Sequence, residues 1–433
     1  MTLVKQTNRR ISFFDDQRLT QSEAIELTAQ ALIYYIGQYP DVVVSYSGGK
    51  DSTSLLTLLL VLIEAGRVPR PRSLRVLLAN TRVELPLLHL AALQIMQIVR
   101  EKGYLAQVVE PPLDDRFFVR MFGFGYPPPH NGFRWCTDLL KLKPMLTALL
   151  AARQAAGQKF LALTGMRIGE SAMRDQRIVL ACGSKDGECG QGAILAQAQE
   201  KARKGGDKFG LYESSPISYL FTHTPASEPA DVLSPLLHWR VCHVADWLML
   251  EAPSYGFPTH RVLEAYGAGV GDSEPLEART GCIACPVAGN GDPVLVKTTR
   301  LPGWEYLRPL LRLRDLYNEL SRPKYRLKKS GERNKDGKLS SRPNRGGPLL
   351  FESRLYGMEQ VLRIQAEVNE GARAAGRPEL VLISDEEKTR ILELIEAETW
   401  PQKWSGDDLR GDALVDLVVG EGLTQPVLAG LKI

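Results

Sequence analysis

Several residue types that mark protein classes are scarce in this chain. Histidine, cysteine and tryptophan each occur six times in 433 residues, and aromatic rings make up 7% of them. No uninterrupted apolar run reaches membrane-spanning length, and the leucine-rich stretch Leu55 to Ile63 falls well short, so no contact with a membrane is expected. Met1 to Asp16 is polar and lacks the apolar core of a signal peptide, which makes the cytoplasm the expected compartment. Charge of one sign is not in large excess either. The formal net charge is +4, so any nucleic-acid contact must come from local basic patches. Internal repeats are absent. What remains is an ordinary globular composition, 44% hydrophobic and 24% charged, long enough for two domains or for one domain with an extension.

Against that background one stretch stands out, Val42-Val43-Val44-Ser45-Tyr46-Ser47-Gly48-Gly49-Lys50-Asp51-Ser52-Thr53. The β-branched run reads as a buried strand, the two glycines allow a sharp turn and close approach to a ligand, and Ser54 to Ile63 continues as a helix. A strand, a tight turn and a helix N-terminus together aim free amides and a positive dipole end at one point, which suits an anion. Ser47, Ser52 and Thr53 add hydroxyls and Lys50 adds a cation. A Walker A loop needs a glycine five residues before its Gly-Lys pair and Ser or Thr after the lysine. Val44 and Asp51 hold those places, and that reading fails.

Along the chain, Gln21 to Tyr39 carries apolar residues at helical spacing, Ser73 to Ala79 and Leu105 to Val109 read as strands, and Leu85 to Val99 as a covering helix. Lys159 to Thr164 is a fourth strand. In a doubly wound parallel sheet ligands sit at the carboxyl ends of strands, which places Asn80, Thr81 and Glu84 near Ser47. The same rule puts Gly165, Arg167, Glu170 and Arg174 at a strand end, where two arginines are costly as core and sensible as a phosphate clamp. Arg134, Lys141 and Lys143 flank Cys136 and would favour its thiolate. Pro111 to Pro129 is too long for a simple connection, and loops of that length are often functional.

In an intracellular chain of this size disulfides are not expected, and Cys282-Ile283-Ala284-Cys285 points to metal or redox chemistry. Cys182 and Cys189 form a wider pair in a glycine-flanked loop. Soft thiolates suit an iron–sulfur cluster or zinc. One Cys-x-x-Cys can hold two corners of a cubane, so Cys182 and Cys189 are the expected other two. A competing set replaces one of these by Cys136. Cys242, between Val241 and His243, reads as a buried structural cysteine.

Ser-Gly-Gly-Lys-Asp-Ser matches the pyrophosphate loop of the ATP pyrophosphatase superfamily. It is followed in order by Trp-Cys-Thr-Asp with Lys-x-Lys-Pro, Gly-x-Arg-x-x-Glu-Ser-x-x-Arg, Pro235-Leu236-Leu237-His238-Trp239, and Cys-x-x-Cys. This series, over residues 40 to about 290, resembles the phosphoadenosine-phosphosulfate-reductase-like family, and within it the iron–sulfur ATP pyrophosphatases of bacterial DNA phosphorothioation (the DndC and SspD type). The resemblance implies an α/β, adenine-nucleotide α-hydrolase-like fold and an ATP- and Mg²⁺-dependent adenylation of a DNA phosphate. A [4Fe–4S] cluster would take part in sulfur transfer, with a cysteine desulfurase as donor and other DNA-modification subunits as partners. A homo-oligomer is compatible with it. ATP would be held by Ser45, Ser47, Gly48, Gly49, Lys50, Asp51, Ser52, Asn80, Thr81, Gly165 and Arg167. Catalysis would fall to Lys50, Asp51, Cys136, Asp138, Arg167, Glu170 and Arg174. Reductases of the family use a cysteine near the C-terminus, and Gln425 to Ile433 contains none. A tRNA-thiolating enzyme, a phosphoadenosine-phosphosulfate-type reductase and a non-catalytic ATP sensor remain the alternatives.

Past Pro286 the character changes. Trp304 to Leu320, Leu355 to Ala375 and Asp385 to Thr399 read as helices, giving a helical C-terminal extension (296–433) after a nucleotide domain (1–295). Between them, residues 322–345 hold ten Lys and Arg against Glu332 and Asp336, a flexible or ribbon-like basic arm suited to a polyanion.

Overall fold

The helix that leads into the glycine loop's strand starts on a reciprocal cap. Thr20 accepts the Glu23 amide at 3.3 Å while the Glu23 carboxylate accepts the Thr20 amide at 2.8 Å, which fixes the first turn of α1 (Gln21–Ile36). In the computed structural model, which describes residues 19–167, 220–266, 282–287, 292–420 and 423–426, the chain then runs β1 (Asp41–Tyr46), α2 (Lys50–Glu64), β2 (Ser73–Ala79), α3 (Pro86–Glu101) and β3 (Leu105–Val109). A helical run from Trp135 continues as α4 (Lys143–Ala156) and stops at Gly157, whose φ of 73° provides the left-handed end. Next come β4 (Phe160–Thr164), β5 (Phe221–Thr222), β6 (Ala230–Leu233), α5 (Val241–Asp246) and α6 (Arg312–Leu320). The last elements are β7 (Arg326–Lys328), β8 (Gly346–Leu349), α7 (Phe351–Ala374), α8 (Asp385–Glu396), β9 (Leu409–Arg410), β10 (Leu417–Gly420) and β11 (Leu423–Gln425). No helix among the described residues is long and apolar enough to cross a membrane.

Two compact units interleave along the chain. One comprises Met1–Tyr46, Lys50–Arg75 and Gln158–Phe257, the other Ser47–Gly49, Val76–Gly157 and Pro258–Ile433. The division expected at 295/296 coincides with no boundary of either unit.

In the first unit β1 pairs in parallel with β4 (Val42 opposite Leu161), β4 pairs in parallel with β6, and the short β5 closes the edge antiparallel. This is the expected α/β class, with a mostly parallel sheet. Val42, Val43 and Val44 are fully buried, as a strand covered on both faces must be. Leu55 to Ile63 of α2 is at most 9% exposed and apolar all round, so this helix is core. Buried carboxylates at the sheet's opposite end are matched by donors. Asp41 takes Arg72, Ser73 (2.7 Å) and Gln158 (2.7 Å), and Asp231 takes Lys159 (2.9 Å) and Tyr39 (2.8 Å).

The second unit sets the end of β2 beside β3, where the Asn80 amide meets the Val109 carbonyl at 2.9 Å. Its C-terminal part holds the expected helices, but also a three-stranded antiparallel sheet in the order β8-β7-β9 and the pair β10–β11, strands too short and too rich in glycine and lysine to signal themselves. Pro309 splits the helix expected over Trp304 to Leu320 into a tight turn, Glu305–Leu311, followed by α6. The basic arm is a ribbon between β7 and β8, not a flexible segment. Lys328 bonds the Ala413 carbonyl and Lys329 pairs with Asp408 at 2.7 Å. Arg354 on α7 is fully buried without a carboxylate partner among the described residues. It donates to the carbonyls of Gly123, Leu349 and Thr399 and lies 4.5 Å from the Phe351 and Trp400 rings. Burial draws its pKa down to about 9.

Candidate functional site

β1 and β4 are neighbours in the sheet but not in sequence, and both end at Tyr46 and Thr164 where function was expected. Beyond Thr164 the chain passes so close to the start of α2 that a Cβ on Gly165 would stand 2.8 Å from the Ser52 amide nitrogen. Two residues on, Arg167 reaches back with its Nε 2.5 Å from Asp51 Oδ1 and its Nη1 3.4 Å from the Trp239 carbonyl. Lys50 Nζ stands 3.0 Å from the other oxygen of Asp51. All three side chains are buried, at 5%, 9% and 5% exposure for Lys50, Asp51 and Arg167. Two cations thus meet one carboxylate at a helix N-terminus, an end whose free amides and dipole suit an anion. Ser54 and Thr53 are turned to structural work, Ser54 donating to the Lys50 carbonyl (3.0 Å) and Thr53 lying 3.2 Å from the Tyr46 hydroxyl. Ser45 lies opposite Thr164, whose hydroxyl is 2.8 Å from that of Ser234.

The second unit holds the turn itself and the thiols. Gly48 has φ of 73° and a Cβ there would come within 2.8 Å of Ala92 Cβ, so both dihedral and space demand glycine. The Gly49 amide donates to Ser47 Oγ at 3.4 Å. A small cavity of about 50 Å³ is lined by Ser47, Ala79, Glu84, Leu88, His89 and Lys141. Lys141 Nζ is 3.9 Å from Glu84. Glu84, then Cys282, Cys285 and Cys136, raise the lysine's pKa against the opposing effect of burial, so it stays charged. Cys282 is fastened from both sides: it bridges to Glu84, the Ile283 amide meets the Val83 carbonyl at 2.7 Å, and the Thr81 hydroxyl lies 3.8 Å from its sulfur. The turn between Cys282 and Cys285 has Ala284 at φ of 51°, its amide held by Asp292 at 3.1 Å, and Arg314 donates to the Cys285 carbonyl at 3.1 Å.

Burial pushes the Cys282 thiol up to about 12, Lys141 opposing. Burial and then Cys285 raise Cys136 as well. The expected thiolate at Cys136 is therefore corrected. Arg134 turns to Asn131 (2.6 Å), and desolvation outweighs what cations remain. The buried Tyr317 hydroxyl completes this neighbourhood, raised by burial, Cys282 and Cys285.

Of the expected ligand residues, Thr81 is fully buried and donates to Glu84 at 2.7 Å. Asn80 bonds Glu110 at 2.7 Å and caps the turn at Arg82 (φ of 62°). Asp138 is exposed at the start of the helical run. Glu170, Arg174, Cys182 and Cys189 lie outside the described residues. Cys242, expected buried, is exposed, because His243 and Val244 take the inward face of α5. Lys141 was expected only as a cation beside Cys136, not beside Glu84 and Ser47; His89 and Tyr317 were not singled out, since they sit on helices whose apolar spacing gives no hint. Among the described residues no three His, Cys, Asp or Glu side chains close around a single metal ion. Cys285 lies close enough to both Cys136 and Cys282 to disfavour their ionisation, and soft thiols of this kind are the donors that an iron–sulfur cluster takes.

No protein-family model matches the chain, and no curated protein matches it. Among solved structures the chain is similar to Candida glabrata FMN adenylyltransferase in complex with FMN and an ATP analogue, at 16% identity over 55% of this chain and 60% of that one, TM-score 0.31. A mutant of the same adenylyltransferase gives 16% identity over 55% and 59%, TM-score 0.30. The phosphoadenylyl-sulfate reductase of Candida auris, in a phosphate complex, gives 11% identity over 57% of this chain and 92% of that one, TM-score 0.30. The chain thus spans about 60% of the length of the adenylyltransferases.

Proposed function

We propose that this chain is an ATP pyrophosphatase that adenylates a DNA backbone phosphate so that sulfur can replace one of its non-bridging oxygens. The observation that carries the reading is the position of Lys141: it lines one cavity with Ser47 of the glycine loop, and its ammonium answers to Cys136, Cys282 and Cys285. Nucleotide loop and thiols thus meet at one cation.

A phosphodiester oxygen does not leave until it is made into an anhydride. In the proposed sequence that oxygen attacks the α-phosphorus of ATP, and pyrophosphate departs onto the loop amides, Lys50 and Arg167. Mg²⁺ on the phosphates would take its protein oxygens from Asp51 and Ser52. Sulfur at the sulfide level then displaces AMP, which carries the original oxygen away. Cys282 and Cys285, together with Cys182 and Cys189 or with Cys136 in place of one of these, would hold a [4Fe–4S] cluster, which would supply sulfur or relay it. Lys141 keeps positive charge beside the incoming anion. A cysteine desulfurase as sulfur donor, further DNA-modification subunits and a cytoplasmic setting belong to the same reading.

The test incubates anaerobically purified protein with ATP, Mg²⁺, a sulfide donor and either DNA or tRNA. Pyrophosphate and AMP are quantified, and nuclease digests are weighed by mass spectrometry. DNA-stimulated AMP formation with phosphorothioate dinucleotides is the expected result. Thiolated tRNA bases, or ATP bound without turnover, would sink the proposal.

A further inference from the structure

One cleft of the second unit has no part in the chemistry above. It measures about 1040 Å³, and no carboxylate lines it among the described residues. One wall is the connection 120–133, the other the base of the basic ribbon with Trp400 and Trp404. Arg326 and Arg342 make no ion pair among the described residues. Arg326 is committed only to carbonyls, that of Gly347 at 2.8 Å and that of Ser321 at 3.5 Å, and Arg342 is exposed. The other two arginines are partly neutralised, Arg120 by Asp115 and Arg345 by Glu332. Ring faces alternate with these cations. Phe133 is 40% exposed and lies parallel to Tyr126, 6.2 Å between centroids, and Trp404 packs so close to Gly347 that a Cβ there would meet the ring at 2.4 Å. Tyr126 in turn touches Trp135, the residue before Cys136, at 5.6 Å.

Unpaired cations interleaved with open aromatic rings fit phosphates interleaved with unstacked bases. Size favours a single strand: the volume corresponds to a cube about 10 Å on a side, less than the width of a major groove at about 12 Å. Small-molecule sites run from roughly 300 to 1,000 Å³, so there is room for more than one nucleotide.

We propose that this cleft holds an unpaired stretch of DNA, with Arg326 and Arg342 on its phosphates and Phe133, Tyr126 and Trp404 against its bases. The proposal rests on the reading of DNA as substrate and adds that the strand is locally opened. It places the opened strand against the segment that carries Cys136.

Fluorescence anisotropy with a labelled oligothymidine and with a hairpin duplex of equal length tests it, without ATP, between about 50 and 200 mM salt. The full chain should bind the single strand more tightly. Phe133→Ala should weaken single-strand binding about tenfold and leave the duplex unchanged. Phe133→Tyr should restore it, and Arg342→Ala should reduce the salt slope by about 0.7. Phe133 is exposed, so the melting temperature should not move. Equal affinity for both DNAs, or a Phe133→Ala loss that is absent or shared by the duplex, overturns the cleft. Pyrophosphate release by the parent protein is scored separately. Its absence would remove the enzymatic reading while leaving the binding result to stand or fall alone.

Discussion

The glycine loop's helix end and the thiol neighbourhood handle buried polarity in opposite ways. Around Asp51 the charges are formal and already matched, with Lys50 at 3.0 Å and Arg167 at 2.5 Å. Around Cys282 the groups are neutral thiols and a phenol that burial keeps protonated, facing one charged lysine. The first arrangement is ready for an anion and needs only to exchange partners. The second would have to give up its thiol protons before it could hold a metal. Chain distance differs as well: Lys50 and Asp51 are adjacent, whereas the thiol site draws on residues near 84, 141 and 282. Motif-borne sites are set by local backbone, and assembled ones by packing.

The sharpest break of this comparison removes a sulfur. Cys282→Ser should lose most of the iron bound by anaerobically prepared protein; the same loss in Cys136→Ser would put Cys136 in the ligand set, and full iron with activity lost would make it a sulfur carrier. Gly165→Ala strikes the other half, since its methyl group meets the backbone of Ser52. Turnover of ATP to pyrophosphate should fall about a thousandfold, on the order of 4 kcal/mol, and normal turnover would remove the loop from the site.

Behind Arg167 lies a buried histidine that makes this half sensitive to acid. His238 has one ring nitrogen 2.9 Å from the Ala24 carbonyl and no partner for Nδ1 among the described residues, and burial, followed by His243, holds its pKa down to about 4 against the Ala24 bond. Unfolded, the ring takes its proton near pH 6.5. The unfolded state therefore binds more protons between those values, and stability declines as pH falls from about 6.5 to 4. The loss should total about 3 kcal/mol, using the folded value of about 4. Urea melts across that range measure it, and His238→Gln should flatten the curve; a parent curve already flat would show the histidine to be hydrated.

Arg167→Lys keeps the charge but loses the fork that spans Asp51 and Trp239. A tenfold fall in turnover, about 1.4 kcal/mol, is expected, with the melting temperature little changed. The smallest effect belongs to the ribbon tip. Replacing exposed Lys335 and Lys338 by glutamine should lower the salt slope of duplex binding by about 2 without touching stability. Lys329→Ala should do the reverse, because its ammonium is spent on Asp408.

The elements were legible wherever periodicity was long and apolar. α2, β1, β2 and β4 appear within a few residues of where their Val and Leu patterns place them, because burial on all sides leaves no other reading. Legibility failed where residues serve two purposes. Lys328 and Lys329, at and just past the end of β7, look like a nucleic-acid contact in sequence, yet they are spent on the Ala413 carbonyl and on Asp408. Cys242 and Cys136 were misjudged in opposite directions, because a short helix's inward face and the desolvation of a thiol are both set by neighbours far along the chain.

By itself, then, the sequence determined the β1–loop–α2 unit, the glycines it requires and the place of Arg167 just past the end of β4, since strand period, turn dihedrals and helix start are local matters. Only the tertiary structure decided that Lys141 would join Ser47 to three cysteines, that Thr81 would be spent inside, and that a basic ribbon would line a cleft with aromatic rings. Those depend on which distant surfaces pack together, and packing is fixed by the free energy of the whole chain rather than by any window of it.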